Sequence, residues 1–250
     1  MTSSGRGKGG PPGIRINSVN TQGRKSDILT KLRQTLERSG QLTLAAIQEG
    51  GKPPWQLQPH PTNPNLLVGQ ISHPRAGSGR KPVYAVAQIP VGRKNPHPMR
   101  NTQMILSNEP ILEAMELDAG HTGPGLRPPL VVETKNAVVA TVHQPSGKPK
   151  LAVSQAAKQW AELKKMADRK RKAAAMTGDF NASRQQLAAA LPAGTQLLTP
   201  PRSTHQSGGT LDHGIASTPA TVRQGTAMAG DHTFQEFEME PATKRRKLQR

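Results

Sequence analysis

The sequence predicts an α/β fold: a four-layered sandwich in which two mostly antiparallel sheets pack face to face with helices outside. Three observations point to it. The chain opens strand, helix, strand; its middle is a succession of short strands bounded by Pro, Gly and Asn; and a long amphipathic helix over 152–175 carries one apolar stripe suited to covering a sheet. Its 250 residues fit one large domain over 14–240, flanked by a basic arm at 1–13 and a basic tail at 241–250.

Residues 14–19 read as the first strand. Ser26 caps a helix with Ile28, Leu29, Leu32 and Leu36 on one face, stopped by Gly40, and 42–47 is a buried strand leading to Glu49. Strands follow at 66–71, 83–89 and 103–106, then a pair at 130–133 and 137–142 that turns at Lys135-Asn136. In the long helix Ala156, Trp160, Leu163 and Ala167 recur at helical spacing. A strand at 174–177, a short helix capped by Ser183, and strands at 211–216 and 234–238 complete the pattern.

Thirty-four Lys plus Arg against sixteen Asp plus Glu give a net charge of +18, which favours a polyanionic partner, nucleic acid or an anionic membrane surface. An aromatic content of 2% disfavours recognition of single strands by base stacking and suits backbone contact with double-stranded DNA. The absence of Cys excludes structural disulfides, thiolate metal sites, a Cys nucleophile and a disulfide-linked partner. Residues 1–13 lack the apolar core of a signal peptide, and no apolar run approaches the roughly 18 residues of a membrane span. The expectation is a soluble protein without stable membrane insertion, exported, if at all, by a route that needs no signal peptide.

The chemistry concentrates in short motifs. Gly178-Asp179-Phe180-Asn181 follows an apolar lead-in at 173–176, which puts an acid and an amide at the end of a strand where both can face one phosphate. Asn20-Thr21-Gln22-Gly23, Gln48-Glu49-Gly50 and His143-Gln144-Pro145 precede it; Asp212-His213 and Asp231-His232 follow. In this order the motifs resemble the DNase I-like superfamily of endonucleases, exonucleases and phosphatases over roughly residues 14 to 240, and within it the catalytic B subunits of cytolethal distending toxins, whose layout 80–107 and 178–216 also follow.

The resemblance implies the same sandwich and a metal-dependent hydrolysis of phosphodiesters with low sequence specificity. By likeness Glu49 binds Mg2+ (or Mn2+ or Ca2+) with help from Asn20 and with Asp231 close by, in keeping with the preference of hard cations for oxygen ligands. His232 is the implied base, with Asp212 accepting the hydrogen bond from its ring; Asp179 and Asn181 position and polarise the phosphate, and His143 protonates or stabilises the leaving oxygen. Arg100 and Asn101 match a DNA-contacting pair.

Departures from the family pattern are Val19 for an aromatic, Gly230 for Ser and His213 for Tyr; none removes a catalytic atom. Residues 52–108 hold no Asp or Glu, so the carboxylate that usually orients the His143 position from the middle strands is missing. That interval instead carries Lys52, Arg75, Arg80, Lys81, Arg93, Lys94 and Arg100, a candidate phosphate-gripping surface. His60, His73, His97, His121 and His205 read as surface or structural residues.

Lys244, Arg245, Arg246 and Lys247 have the composition of a nuclear import signal. Together these readings describe a DNA endonuclease, a bacterial genotoxin subunit or effector brought in by delivery subunits or secretion machinery and acting in a host nucleus. The alternatives are a phosphoinositide phosphatase of the same fold and a catalytically inactive nuclear DNA-binding protein; retention of all seven functional groups in order argues against the second.

Overall fold

Burial of a strand on both faces removes the alternation of apolar and polar residues, and the central strands here read as near-continuous apolar runs. The computed structural model describes residues 13–22, 26–89, 102–119, 128–205, 208–229 and 232–242. The strands are β1 (Ile14–Asn20), β2 (Leu42–Gln48), β3 (Gln58–Pro59), β4 (Leu66–Ser72), β5 (Val83–Gln88), β6 (Met104–Ser107), β7 (Glu113–Glu116), β8 (Leu130–Glu133), β9 (Ala137–His143), β10 (Ala173–Asp179), β11 (Gln196–Leu198), β12 (Asp212–Ala216), β13 (Ala220–Ala229) and β14 (His232–Met239). Helices α1 (Ser26–Arg38), α2 (Pro149–Lys170) and α3 (Arg184–Ala190) join them.

One sheet has eight strands in the order β13-β14-β1-β2-β6-β5-β4-β3, the other six in the order β11-β12-β10-β9-β8-β7. Pairing is antiparallel except for β1 with β2 and β9 with β10. Each parallel pair is bridged by a helix, α1 or α2, that packs on the outer face of its sheet. Leu29, Leu32 and Leu36 of α1 meet Val19, Ala45 and Ile47; Ala156, Trp160, Leu163 and Ala167 of α2 meet Val138, Ala140, Val142 and Met176. Helix, sheet, sheet, helix is the expected four-layered sandwich. Among the described residues no helix is long and apolar enough to cross a membrane.

The inner faces change character along each strand. In β1 the inward positions run Ile14, Ile16, Ser18, Asn20; in β2 Leu42, Leu44, Ala46, Gln48; in β9 Ala137, Val139, Thr141, His143; in β10 Ala173, Ala175, Thr177, Asp179. An apolar core thus gives way to hydroxyls and amides, and then to ionisable groups at one end. Gln48 Nε2 donates to Thr141 Oγ1 at 2.6 Å, tying the two sheets together just beneath that end.

Some elements differ from expectation. The predicted helix over 152–175 starts earlier and stops at Lys170, where Arg171 adopts a left-handed conformation with φ 56. Residues 173–175 are alanines, good helix formers, yet they are buried in β10 between β9 and β12, so tertiary pairing overrides propensity. Strands β3, β7, β11 and β13 were not expected: all lie at a sheet edge, and β13 mixes polar with small apolar residues and has a register shift between Gln224 and Met228.

Gly214 of β12 faces Phe237 of the opposite sheet, and a Cβ there would lie 2.5 Å from the Phe237 ring. Phe237 is almost fully buried, so the ring has little room to retreat. Gly214→Ala is expected to destabilise the fold by about 1–3 kcal/mol in urea unfolding, and a second change, Phe237→Leu, to recover part of the loss.

Candidate active site

Six strand ends meet at the polar end of the inter-sheet seam: those of β1, β2, β9, β10, β12 and β14. Asp179 closes β10 and is in register with His143 on β9 and with Asp212 on β12, so three functional side chains stand side by side on one sheet. Asn20 closes β1 in the facing sheet; its Nδ2 donates to Asp179 Oδ2 and to Glu49 Oε1, each at 3.3 Å. Glu49 comes one residue after Gln48 and in a continued strand would point outward. A left-handed turn at Glu49, φ 52, breaks the alternation, and Thr21 Oγ1 donates to its carbonyl at 3.0 Å.

Asp179 is buried and held from two sides. Its Oδ1 accepts from the Asn181 amide at 2.9 Å; Asn181 is itself left-handed, φ 47, and its Nδ2 donates to Gln144 O at 2.9 Å. Oδ2 faces His143 Nε2 at 3.7 Å and His232 Nε2 at 3.9 Å. The preceding Gly178 has φ +143, and any Cβ would lie 2.1 Å from Val142 O, so only glycine fits.

The His232 ring donates from Nδ1 to Asp212 Oδ2 at 2.9 Å, which leaves Nε2 turned toward Asp179. His143 Nε2 is 3.5 Å from Glu49 Oε1. The acid-free middle strands therefore do not leave His143 without acidic neighbours: Glu49 and Asp179 flank it. His213 points to the other face of β12, where Nε2 donates to Ala182 O at 3.0 Å and Nδ1 accepts from Thr199 Oγ1 at 3.2 Å. Burial pushes its pKa below 6.5, so it is a neutral structural residue.

Sequence reasoning overlooked Thr204 and His205. Thr204 Oγ1 accepts from the Asp212 amide at 3.2 Å, and the His205 ring lies edge-on to His232 with centroids 4.9 Å apart. Neither sits in a strand or helix, and the one signal available was the polar run Ser203-Thr204-His205 shortly before Asp212.

The proposed phosphate-gripping surface is divided. β4 runs antiparallel to β5, β5 to β6 and β6 to β2, so the turn bearing Arg75, Arg80 and Lys81 emerges at the end of the sheet opposite Glu49. There Glu37 of α1 takes Arg80 at 3.6 Å, Arg33 at 3.3 Å and the Ser72 hydroxyl at 2.6 Å. An acid-free stretch that zigzags across a sheet does not make one surface. Asp231, Arg93, Lys94, Arg100, Asn101, His97, His121 and the run 244–247 lie outside the described residues.

Desolvation raises the pKa of Asp179 above 3.8; His143 opposes the rise, the nearby Asp212 carboxylate adds to it, and His232 and the Asn181 amide oppose it. Such a carboxylate has use for a cation. Glu49 Oε1 and Asp179 Oδ2 converge on the same Asn20 amide, an all-oxygen pair suited to a hard divalent ion. Asn20 Oδ1 accepts from the Gln22 amide at 3.1 Å and keeps a second lone pair, while its nitrogen steadies the two carboxylates. A second set, one oxygen each of Asp179 and Asp212 with a ring nitrogen of His232, lies within 4.8 Å, but His232 and Asp212 already bond each other.

The model of the Endonuclease/Exonuclease/phosphatase family matches residues 18–232. The chain belongs to this family. Members typically depend on a divalent metal, and the donor sets above fit one. The fold is shared with the cytolethal distending toxin of Haemophilus ducreyi (TM-score 0.70, 19% identity, 91% of this chain and 98% of that one). It is equally shared with the toxin of Actinobacillus actinomycetemcomitans (TM-score 0.68, 20% identity, 90% and 97%) and, more distantly, with the human Nocturnin catalytic domain (0.52, 13%, 92% and 94%). No curated protein matches the chain by sequence. The expected DNase I-like fold, close to that of the toxin subunits, is thus correct.

With its pKa raised above the unfolded value, Asp179 favours the native state below pH 3.8 and withdraws that contribution as pH climbs through the raised value. Asp179→Asn is spared this loss. The difference in Tm between variant and wild type is expected to move in the variant's favour from about pH 4 to about pH 8, and Mg2+ to narrow it by stabilising the wild type; a gap that is flat with pH refutes a raised Asp179.

Proposed function

We propose that the protein is a divalent-metal-dependent endonuclease that hydrolyses DNA phosphodiesters with little sequence specificity. The observation that carries this reading is the Asp212–His232 pair, whose Nε2 is aimed at the Asp179 carboxylate beside Glu49, Asn20 and His143. His232 Nε2 removes a proton from water while Nδ1–H remains on Asp212, which fixes the tautomer and stabilises the imidazolium. The water oxygen bonds to phosphorus, the ester P–O bond breaks, and His143 delivers a proton to the departing oxygen. Asn181 and Asp179 orient the phosphate.

Mg2+, or Mn2+ or Ca2+ in its place, would be held by Glu49 and Asp179, with Asn20 and Asp231 proposed as further ligands from the family likeness, and would supply Lewis-acid neutralisation of phosphate charge. Burial of Asp179 is consistent with a cation as its counter-charge. A net charge of +18 together with the basic run Lys244, Arg245, Arg246, Lys247 favours DNA over a lipid headgroup, and 2% aromatic residues favour duplex over single strands.

The likeness to toxin structures and the run Lys244, Arg245, Arg246, Lys247 support a genotoxin subunit or effector that reaches a host nucleus with the help of delivery subunits or secretion machinery. Arg100 and Asn101 are the proposed DNA contacts.

Supercoiled plasmid tests the activity. Relaxed circles are expected with Mg2+ and not with EDTA, and His232→Ala is expected to slow nicking by about 10²- to 10⁴-fold. Plasmid that stays supercoiled with Mg2+ bound defeats the DNA reading; phosphate release from phosphoinositides then identifies a lipid phosphatase. A chain lacking 243–250 is expected to nick plasmid at the full rate yet fail to accumulate in the nuclei of permeabilised eukaryotic cells; equal accumulation removes the import role.

A further inference from the structure

Between β11 and β12 the chain makes an irregular excursion in which two consecutive residues, Thr204 and His205, meet both members of the Asp212–His232 pair. Thr204 is fully buried. Its hydroxyl oxygen accepts from the amides of Leu211 at 3.1 Å and Asp212 at 3.2 Å, which fixes the backbone from which the Asp212 carboxylate projects. Its carbonyl accepts from the amide of Thr233, the residue after His232, at 3.0 Å. His205 forms an isolated antiparallel bridge with His232 and sets its ring at 82° to the catalytic ring, 4.9 Å away.

The two residues are themselves tied down. Both amides donate to Gly209 O, at 3.1 and 3.0 Å, and Ser203 Oγ donates to Gly209 O at 2.9 Å and to His205 O at 2.7 Å. Thr204 and His205 are thus held by hydrogen bonds to Gly209 and Ser203.

A base works only while its ring is aimed. The Nδ1 bond to Asp212 and the covalent link at Cγ fix two points of the His232 ring; an edge-on neighbour opposes rotation about the line between them, and an anchored Asp212 amide keeps the bonded point still. We propose that Thr204-His205 is the positioning element of the base: Thr204 places Asp212, and His205 places the ring of His232. This rests on Asp212–His232 being the base. Neither residue touches the reacting atoms. Because the support from His205 is an edge-to-face ring contact, a phenyl ring can provide it.

The test compares Thr204→Val with Thr204→Ser, and His205→Ala with His205→Phe, by steady-state nicking, thermal melting and the proton NMR signal of His232 Nδ1–H. Thr204→Val and His205→Ala are expected to lower kcat by about 10- to 100-fold, the cost of a misaimed group, with KM within about twofold. Thr204→Ser and His205→Phe are expected to restore most of it. The Nδ1–H signal should broaden by solvent exchange in the Val and Ala variants and stay sharp in the Ser and Phe variants.

Folded Val and Ala variants with wild-type kcat and a sharp signal overturn the proposal, as does an equal loss in all four. If Thr204→Val does not fold, the His205 pair decides by the same criteria. If the wild type itself does not nick plasmid, the nuclease reading falls, and the NMR signal alone still decides whether Thr204-His205 holds His232.

Discussion

Strand register across the inter-sheet seam governs this molecule. Side chains alternate with a period of two, so a slip of one residue in β10 would send Asp179 to the α2 side and bring Gly178 inward, where nothing could replace the carboxylate. The register is enforced from the opposite end of the same strands: Ala173, Ala175, Ile14, Ile16, Leu42 and Leu44 are fully buried between the sheets and cannot trade places with their neighbours at tolerable cost. The apolar end fixes which residues face inward, and the functional end inherits that choice. Catalytic geometry and core packing are thus the same constraint read at two ends of one strand.

Between them lies a layer of Ser18, Gln48, Thr141, Thr177 and Gln235, all buried. Such groups are expensive in an apolar core unless bonded, and the Gln48–Thr141 bond shows what they do here. It crosses from one sheet to the other and sets the height of Asn20 and Glu49 against His143 and Asp179. The layer also separates the hydrocarbon of the core from the ionisable groups, so that Asp179 faces amides and imidazoles rather than methyl groups.

Much of this was legible in the sequence because the functional groups sit at strand ends, where each is announced by a linear signature: Asn20 after 14–19, Glu49 after 42–47, His143 after 137–142, Asp179 after the alanines. What escaped notice depends on contacts distant along the chain or on pairing energy. Residues 173–175 look helical by propensity and become strand because β9 and β12 claim them. The edge strands β7, β11 and β13 bury little and leave a faint pattern. Arg75, Arg80 and Lys81 seemed to belong with Lys52, but three successive antiparallel pairings carry them to the far end, and the acid that pairs with Arg80 comes from α1. His205 was set aside as a solitary histidine; its role depends on a ring 27 residues away in sequence, which no local pattern encodes.

The site also costs stability. Glu49 and Asn181 are non-glycine residues held in the left-handed region, at roughly 1–2 kcal/mol for Glu49 and less for Asn181, and both are the residues that carry a functional group past the end of a strand. Asp179 adds the cost of a desolvated charge. Left-handed turns at these two points shorten the loops that follow β2 and β10, so the carboxylate and the amide project from the rigid sheet edge instead of from a mobile loop. Asn tolerates that conformation with little complaint, whereas Glu does not, which makes the bonds from Thr21 to the carbonyls of Gln48 and Glu49 necessary to the geometry. A cation held between the Glu49 and Asp179 carboxylates would offset the desolvation of Asp179, so the costly end of the seam is also the part with most to gain from the kind of ion that the family uses.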